Sequence, residues 1–291
     1  MIKLRGKLLK DVALARFNTW RVGGIAKQVY KPADIEDLCL FLSNLPASDD
    51  PIWLGLGSNI LFPDEDISST VILTQGGLQN LTLLNSDDFR AEAGVTCAKA
   101  AKFCVKNNFI DAEFFAGIPG TIGGALAMNA GAFGHETWEF VSAVETIDRQ
   151  GNLYTRDANE YQISYRSVFG PKEWFVAAHF KLPRGDGKAT ANNIKALLKK
   201  RNAMQPIGLP SCGSVFTNPP GDYAARLIEM CDLKGYSIGG AEVSVKHANF
   251  IINKGNATAA DIIAIIEHIQ QTVYQQQHIK LEPEVKIFTH R

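Results

Sequence analysis

The chain has 291 residues, with 30 Lys and Arg against 30 Asp and Glu, and 46% of its residues are hydrophobic. This length suffices for a buried core and suggests about two domains, while the balanced charge argues against a protein that binds nucleic-acid phosphates through a basic face. No stretch approaches the ~18 consecutive apolar residues of a membrane-spanning helix, and the first residues lack the apolar run and cleavage site of a signal peptide. We therefore expect a cytoplasmic protein with neither a nucleic-acid nor a membrane partner.

The predicted elements mix helices and strands along the whole chain. In chain order they are a helix at 33–43, strands at 51–56, 70–74 and 89–95, a helix at 97–107, a hairpin joining 143–148 to 152–155, a strand at 175–182, a linker at 183–193, and helices at 193–204 and 258–277. The last helix is the clearest, because Thr258 is a good N-cap and Ile262, Ile265, Ile266 and Ile269 recur at helical spacing. This mixture predicts an α+β fold.

The cysteines and histidines do not form the patterns of a disulfide framework or a metal site. The five cysteines stand at 39, 97, 104, 212 and 231 without a Cys-x-x-Cys pair, and no His-Glu-x-x-His sequence occurs. Reduced thiols in a reducing compartment are the simplest interpretation, and we predict no metal.

Two glycine-rich segments are candidate ligand-binding loops. Gly55-Leu-Gly-Ser-Asn follows an apolar strand, and its amides could form an anion-binding nest, although a structural turn explains it equally well. It is neither a Walker A loop nor a GxGxxG turn. The segment 114–134 carries no charge and contains Pro119 and the pair Gly123-Gly124, which we expect to break a helix. It predicts a backbone surface packed against a large planar ligand, with a buried structural loop as the alternative.

Three polar residues stand in apolar or glycine-rich surroundings, namely Arg166, Ser214 and Glu284. Taken singly, each is explained by a turn or by an ion pair, and Ser214 lacks the GxSxG context of a nucleophile elbow. They become candidates for chemistry only as a group.

Eight short motifs together resemble one enzyme family. In chain order they are Asn18-Thr-Trp-Arg-Val-Gly-Gly, Gly55-Leu-Gly-Ser-Asn, Ala116-Gly-Ile-Pro-Gly-Thr-Ile-Gly-Gly-Ala, Met128-Asn-Ala-Gly-Ala, Tyr165-Arg-Ser, Gly213-Ser-Val-Phe-Thr-Asn-Pro, Lys246-His-Ala-Asn-Phe and Leu281-Glu-Pro-Glu-Val. This ordered set, which spans nearly the whole chain, resembles the UDP-N-acetylenolpyruvoylglucosamine reductase (MurB) family.

The resemblance implies a flavoprotein fold with three parts. FAD, bound non-covalently, would lie in two subdomains of the vanillyl-alcohol-oxidase type at 1–75 and 76–185, and an α+β substrate-binding domain would occupy 186–291, whose last residues could pack back on the first subdomain. The residues that the resemblance assigns to FAD are Gly55, Gly57, Ser58, Asn59, Gly117, Ile118, Pro119, Gly120, Gly123, Gly124, Ala125 and Asn129.

The resemblance also implies the reaction. NADPH would reduce FAD, and the flavin would pass a hydride to UDP-N-acetyl-3-O-(1-carboxyvinyl)-glucosamine, which yields UDP-N-acetylmuramate for bacterial peptidoglycan. Arg166 and Glu284 match the residues that stabilise the enolate, and Ser214 matches the proton donor. Arg166 and Asn218 match residues that bind the substrate. The family expectation is a monomer.

The sequence departs from the family pattern after Arg166, where Tyr165-Arg-Ser-Val-Phe is one residue shorter than usual. The chain resembles the type II form, so we assign no tyrosine lid over the substrate. Two alternatives are a different FAD oxidoreductase on the same fold and a non-catalytic FAD-binding module. The C-terminal motifs around Ser214 and Glu284 favour the reductase over both.

Overall fold

A computed structural model describes residues 3–288. Two compact units emerge from the contacts among these residues. The first comprises the described part of Met1–Lys10 with Gln28–Leu56 and Ser69–Lys199, and the second comprises Asp11–Lys27, Gly57–Ser68 and the described part of Lys200–Arg291. The division into domains at 75 and 185 stays a prediction, and its outer limits at 1 and 291 lie outside the described residues.

The described residues contain seven α-helices: α1 Ile35–Asn44, α2 Cys97–Lys106, α3 Glu113–Gly117, α4 Ile122–Met128, α5 Gly187–Met204, α6 Ala224–Met230 and α7 Ala259–Gln277. Three of them start where a side-chain oxygen accepts a hydrogen bond from a backbone N–H of the first turn, the usual N-cap arrangement. The caps are Asp34, Thr96 and Thr258. Thr258 and Asp261 form a reciprocal capping box, which confirms the predicted start of the last helix.

The same part of the chain contains eighteen short strands: β1 Lys7–Ala13, β2 Ile25–Lys31, β3 Ile52–Leu54, β4 Ile60–Leu61, β5 Val71–Leu73, β6 Leu81–Leu83, β7 Asp88–Glu92, β8 Gly131–Ala132, β9 His135–Glu136, β10 Val141–Ile147, β11 Leu153–Asp157, β12 Gln162–Ser164, β13 Ser167–Phe169, β14 Trp174–Lys181, β15 Ser237–Ile238, β16 Ala241–Val243, β17 Ile251–Asn253 and β18 Lys286–Ile287. The mixture confirms the predicted α+β class.

The first unit is built around an antiparallel sheet with strand order β11-β10-β14-β7-β6. The predicted hairpin is present, because β10 pairs with β11 from Ala143 opposite Asp157 to Ile147 opposite Leu153. The sheet buries a core of aromatic side chains that includes Phe89, Phe114, Phe115, Trp138 and Phe180. A second sheet, of order β1-β2-β5-β3, has parallel β2–β5 and β3–β5 pairs. The helices α3 and α4 pack in the aromatic core of the first, five-stranded sheet.

The second unit has its own core around α7. The buried face of this helix, including Ile262, Ile265 and Ile269, packs with Trp20 and Phe216. The indole nitrogen of Trp20 also donates to the Ile251 carbonyl oxygen at 2.7 Å. The short strand β18 pairs in parallel with β4, so the last described residues join the segment that follows Gly57.

Two local predictions are wrong. The predicted linker at 183–193 is only partly a loop, because α5 begins at Gly187; its polar composition reflects the exposed surface of a helix. The pair Gly123-Gly124 does not break a helix but lies inside α4, where a Cβ atom on Gly123 would crowd Ala93.

None of the helices within residues 3–288 is long and apolar enough to cross a membrane. Over the same range, no group of three or more His, Cys, Asp or Glu side chains could hold a metal ion.

Candidate active site

The uncharged glycine-rich segment of the first unit forms two short helices joined at Pro119. Its backbone is tied to the segment that precedes α2, since Gly123 N donates to Ala93 O at 2.9 Å, Ile122 N to Val95 O at 2.9 Å, and Cys97 N to Gly120 O at 2.9 Å. These three bonds, together with an isolated β-bridge between Thr96 and Thr121, attach the start of α4 and the residues before it to 93–97. Within it, Gly117, Ile118 and Ala125 are buried, Gly120 is half-buried and Pro119 is exposed.

The adjacent glycines of α4 serve different purposes. A Cβ atom on Gly123 would lie 2.9 Å from Ala93 Cβ and 3.2 Å from Ala93 O, so this glycine allows two backbones to touch. A Cβ atom on Gly124 would meet nothing closer than Thr121 Oγ1 at 3.8 Å, and Gly124 is exposed. Packing within the protein therefore explains the absence of a side chain at Gly123 but not at Gly124.

A buried hydroxyl lies beside Gly55 in the same unit. Thr121 is 1% exposed, and its Oγ1 has no hydrogen-bond partner among residues 3–288. A Cβ atom on Gly55 would lie 2.2 Å from that oxygen, so the backbone passes directly over it. Buried hydroxyls normally have a partner, so an unpaired one between two glycine-rich segments suits a ligand that carries donors and acceptors. The open side of Gly124 and the unpaired Thr121 hydroxyl thus fit a large polar cofactor such as FAD.

In the second unit, Gly57 is held in a conformation that only glycine adopts readily. Its φ is +68°, and a Cβ atom would lie 2.0 Å from the carbonyl oxygen of Phe17. Ser58, which follows, is half-buried. The Asn59 side chain donates to Glu284 O at 3.1 Å, so it ties this loop to the segment before β18.

Arg166 occupies a strained turn in the first unit. Strands β12 and β13 pair as a hairpin in which Ser164 lies opposite Ser167, and Tyr165 and Arg166 form the two-residue connection. Arg166 has φ +55°, a left-handed conformation that costs a residue with a Cβ roughly 1–2 kcal/mol. Strain of this kind is retained where the surrounding structure imposes it, often at functional sites.

The guanidinium of Arg166 faces the loop that follows α4. Nη1 donates to Asn129 O at 3.2 Å and Nη2 to Gly131 O at 3.5 Å, and Nη1 lies 3.6 Å from Glu136 Oε1. The group also lies over the Tyr165 ring, 4.8 Å from its centroid. With 18% of its side chain exposed, Arg166 is held in place and still accessible. The sequence did not predict the contact between Glu136 and Arg166, because Glu136 stands thirty residues before Arg166.

Asn129 connects these groups. It ends α4 in a left-handed conformation, is 2% exposed, and donates through Nδ2 to Glu136 Oε2 at 2.7 Å and Ser164 O at 3.3 Å. Its Oδ1 accepts from Trp138 N at 3.2 Å. Protein groups therefore occupy both ends of its amide, and a direct contact between Asn129 and FAD stays a prediction.

Ser214 and Glu284 are brought together in the second unit. Glu284 N donates to the Val215 carbonyl oxygen at 2.7 Å, which places the backbone of Glu284 against the residue that follows Ser214. Ser214 is half-buried and follows Gly213, whose φ is +82°. The turn and this bond hold the hydroxyl-bearing and carboxyl-bearing residues of two distant motifs next to each other.

The thiol of Cys212 reports the charge near this pair. Cys212 is 5% exposed. Its pKa lies well above the usual value, first because burial disfavours the thiolate and second because the Glu284 carboxylate is close. Cys212 is therefore a protonated thiol at neutral pH.

Asn249 positions the Ser214 turn, although sequence reasoning gave it no role. Its Oδ1 accepts from Phe216 N and its Nδ2 donates to Phe216 O, both at 2.9 Å, while its own carbonyl accepts from Val215 N at 2.9 Å. The residue is 4% exposed. The motif Lys246-His-Ala-Asn-Phe contained the signal, but only the structure shows that Asn249 bonds to Val215 and Phe216. Asn218, farther along the same segment, is exposed, and its Oδ1 accepts from Ala224 N at 3.1 Å at the start of α6.

Comparison with known proteins identifies both parts of the chain. Residues 26–156 match the FAD binding domain family, and residues 205–288 match the family described as UDP-N-acetylenolpyruvoylglucosamine reductase, C-terminal domain. A UDP-N-acetylenolpyruvoylglucosamine reductase of Coxiella burnetii (strain Dugway 5J108-111) is 55% identical over 98% of this chain and 96% of its own length. The reductase of Legionella pneumophila (strain Paris) is 54% identical over 97% and 94%. The crystal structure of the reductase from Thermus caldophilus superposes with a TM-score of 0.84 at 28% identity, covering 99% of this chain and 100% of that one.

The fold and the matches define a flavoprotein oxidoreductase that uses FAD. More narrowly, the chain belongs to the UDP-N-acetylenolpyruvoylglucosamine reductase family. The resemblance drawn from the eight sequence motifs is thereby confirmed.

Proposed function

We propose that this protein reduces UDP-N-acetyl-3-O-(1-carboxyvinyl)-glucosamine to UDP-N-acetylmuramate with NADPH as the reductant, in the cytoplasm and as a monomer. The observation that carries the proposal is the bond from Glu284 N to Val215 O, which holds Glu284 beside the Ser214 turn inside the stretch that matches the reductase C-terminal domain. Both residues fit the chemistry that reduction of an enolpyruvyl ether requires.

FAD, when bound, supplies the hydride carrier that links NADPH to the sugar. We assign its binding to the glycine-rich segments, namely Gly55, Gly57, Ser58, Asn59, Gly117, Ile118, Pro119, Gly120, Gly123, Gly124, Ala125 and Asn129. The unpaired hydroxyl of Thr121 and the open side of Gly124 support this assignment. Gly123 supports the cofactor site, because its close packing against Ala93 fixes the part of α4 that carries Gly124.

Arg166 is assigned to the substrate carboxylate. Hydride addition to the vinyl carbon moves negative charge onto that carboxylate, so a fixed cation there stabilises the transition state more than the ground state. A guanidinium can hold a carboxylate with two parallel hydrogen bonds. The contacts of Arg166 with Asn129 O and Gly131 O keep its direction fixed before substrate arrives, which reduces the ordering cost of binding.

Ser214 is assigned as the proton donor to the carbon next to the carboxylate, and Glu284 as the residue that shares a proton with the enolate oxygen. A hydroxyl is a weak acid, but an enolate carbon is a strong base and the proton moves only over hydrogen-bond distance. The half-buried position of Ser214 limits the access of water to that proton. Asn218 is assigned to substrate binding from the end of the same segment.

An anaerobic visible spectrum tests the proposal. The FAD-loaded protein should lose its flavin absorbance when NADPH is added and regain it when the enolpyruvyl UDP-sugar follows. Loss without recovery would reject the substrate and leave a different FAD oxidoreductase. A protein that binds no added FAD would reject the cofactor assignment as well.

A further inference from the structure

The loop after α4 carries a carboxylate that the reaction as described does not use. Glu136 ends the short hairpin of β8 and β9, in which Ala132 lies opposite His135 and the two connecting residues, Phe133 and Gly134, have φ of 56° and 95°. Two successive positive φ values are typical of a type I′ turn, whose twist matches a tight hairpin. The backbone of Glu136 is therefore fixed opposite Gly131, whose carbonyl oxygen accepts a hydrogen bond from the Arg166 guanidinium.

The two oxygens of this carboxylate have different partners. Oε2 accepts from Asn129 Nδ2 at 2.7 Å, while Oε1 lies 3.6 Å from Arg166 Nη1. The carboxylate also accepts from the Glu139 backbone N–H, where it caps the turn Thr137–Phe140; glutamine can replace it in that role through its amide oxygen. Asn129 also presents its own carbonyl oxygen to Arg166 Nη1 at 3.2 Å. Glu136 thus acts on Arg166 in two ways. Its charge attracts the guanidinium directly, and its bond to the Asn129 side chain fixes the residue whose carbonyl oxygen accepts from Arg166.

A distance of 3.6 Å is an ion pair rather than a hydrogen bond, so Glu136 attracts the guanidinium without claiming one of its N–H groups in this contact. The pair is partly shielded from water, with 18% of the Arg166 side chain and 33% of the Glu136 side chain exposed. The attraction is consequently stronger than for two fully exposed charges. It adds to the restraint that the bonds to Asn129 O and Gly131 O already place on the Arg166 side chain.

From this geometry we propose that Glu136 is a positioning residue for the substrate half-reaction, which, together with Asn129, holds Arg166 in the orientation that receives the substrate carboxylate. The inference rests on the proposed function, because it needs Arg166 to meet that carboxylate. Glu136 itself touches neither substrate nor cofactor in this account.

The substitution Glu136→Gln tests the proposal, because glutamine keeps the length and an acceptor for Asn129 but removes the charge that faces Arg166. The matched control is Glu139→Gln, which removes a carboxylate from the same turn that bonds to His135 and to Glu136 N instead. Both variants are measured as FAD-loaded proteins in the two half-reactions separately, flavin bleaching by NADPH and recolouring by the enolpyruvyl UDP-sugar, with the melting temperature and FAD occupancy recorded alongside.

Misplacement of a positioning group by about 1 Å can cost on the order of 100-fold in rate, so we expect Glu136→Gln to slow recolouring by roughly 10- to 100-fold. Bleaching by NADPH, FAD occupancy and the melting temperature should stay close to those of the wild type, and Glu139→Gln should leave both half-reactions unchanged. Equal loss of both half-reactions, loss of FAD, or unchanged recolouring would each overturn the positioning role.

A double-substitution cycle separates positioning of Arg166 from any independent effect. In the background of Arg166→Ala, Glu136→Gln should slow recolouring no further, because the group that it orients is gone. A full additional loss in that background would overturn the inference. If the wild-type protein bleaches but never recolours with the sugar, the proposed function itself fails, and that outcome is distinct from the failure of Glu136→Gln to change a working wild type.

Discussion

Alanine at position 124 should stabilise the protein without its cofactor and weaken cofactor binding. The added methyl group meets only Thr121 Oγ1 at 3.8 Å, an ordinary contact distance. Replacing glycine by alanine at a compatible helical position typically stabilises a protein by about 0.4–1 kcal/mol, because the unfolded chain loses freedom. A flavin resting on this face of α4 would be separated from the helix backbone by the same methyl group. We therefore expect the Kd for FAD to rise at least about tenfold, which corresponds to a loss of about 1.4 kcal/mol in binding free energy.

The neighbouring glycine is the matched control. In Gly123→Ala the methyl group would lie 2.9 Å from Ala93 Cβ and 3.2 Å from Ala93 O, within a backbone contact that has no flexible side chain to yield. Overpacking costs typically about 1–3 kcal/mol, which exceeds the gain of up to about 1 kcal/mol in helix propensity. This variant should therefore be less stable without FAD, whereas Gly124→Ala should be more stable.

The assay is urea unfolding of both proteins stripped of FAD, combined with titration of FAD followed by quenching of flavin fluorescence. A Gly124→Ala protein that is stabilised yet binds FAD as tightly as the wild type would refute the placement of the flavin on this face. A Gly123→Ala protein as stable as the wild type would refute the packing argument.

Three further predictions concern proton transfer, strain and pH. Ser214→Ala should leave bleaching by NADPH nearly intact and slow recolouring by the sugar by about 10²–10⁴-fold, the usual contribution of a positioned proton donor, and equal loss in both half-reactions would contradict its role. In urea unfolding, the free energy of unfolding of Arg166→Gly should exceed that of Arg166→Ala by up to about 1–2 kcal/mol, because only glycine relieves φ +55°. Both variants should lose sugar reduction, and equal stabilities would contradict the strain. Burial alone would raise the pKa of Glu145, but hydrogen bonds from Arg90 and His179 outweigh burial and lower that pKa to about 2. The Glu145 carboxylate therefore stabilises the fold fully above pH 4.5, its ordinary pKa, and this contribution is lost as the pH falls towards 2. Acid unfolding of Glu145→Gln should accordingly show less stability at pH 7 and a flatter decline over that range, and an unchanged profile would contradict this ion-pair network.

Periodic and local signals predicted much of the fold because they depend on neighbours in the sequence. The helix that ends at Gln277 has its cap, its capping box and its buried stripe of isoleucines within twenty residues, so each could be inferred without knowing the tertiary structure. The hairpin of β10 and β11 likewise depends on a local turn. The start of α5 was missed because its first two turns have few apolar residues and mostly face solvent.

The candidate site could be predicted only as far as its separate motifs. Glycine signals close approach, but the sequence does not say whether a ligand or another backbone approaches, and Gly123 turned out to meet Ala93. Glu136 and Asn249 act through partners about thirty residues away, at Arg166 and Phe216, so no spacing rule identifies them. Long-range contacts of this kind depend on how the strands are paired.

The most direct test of the central claim is the mass of the UDP-sugar after incubation with the purified protein, FAD and NADPH without oxygen. The account predicts that the enolpyruvyl sugar gains two hydrogen atoms for each NADPH consumed, as conversion of the vinyl group to a lactyl ether requires. NADPH consumption that leaves the mass of the sugar unchanged would contradict it.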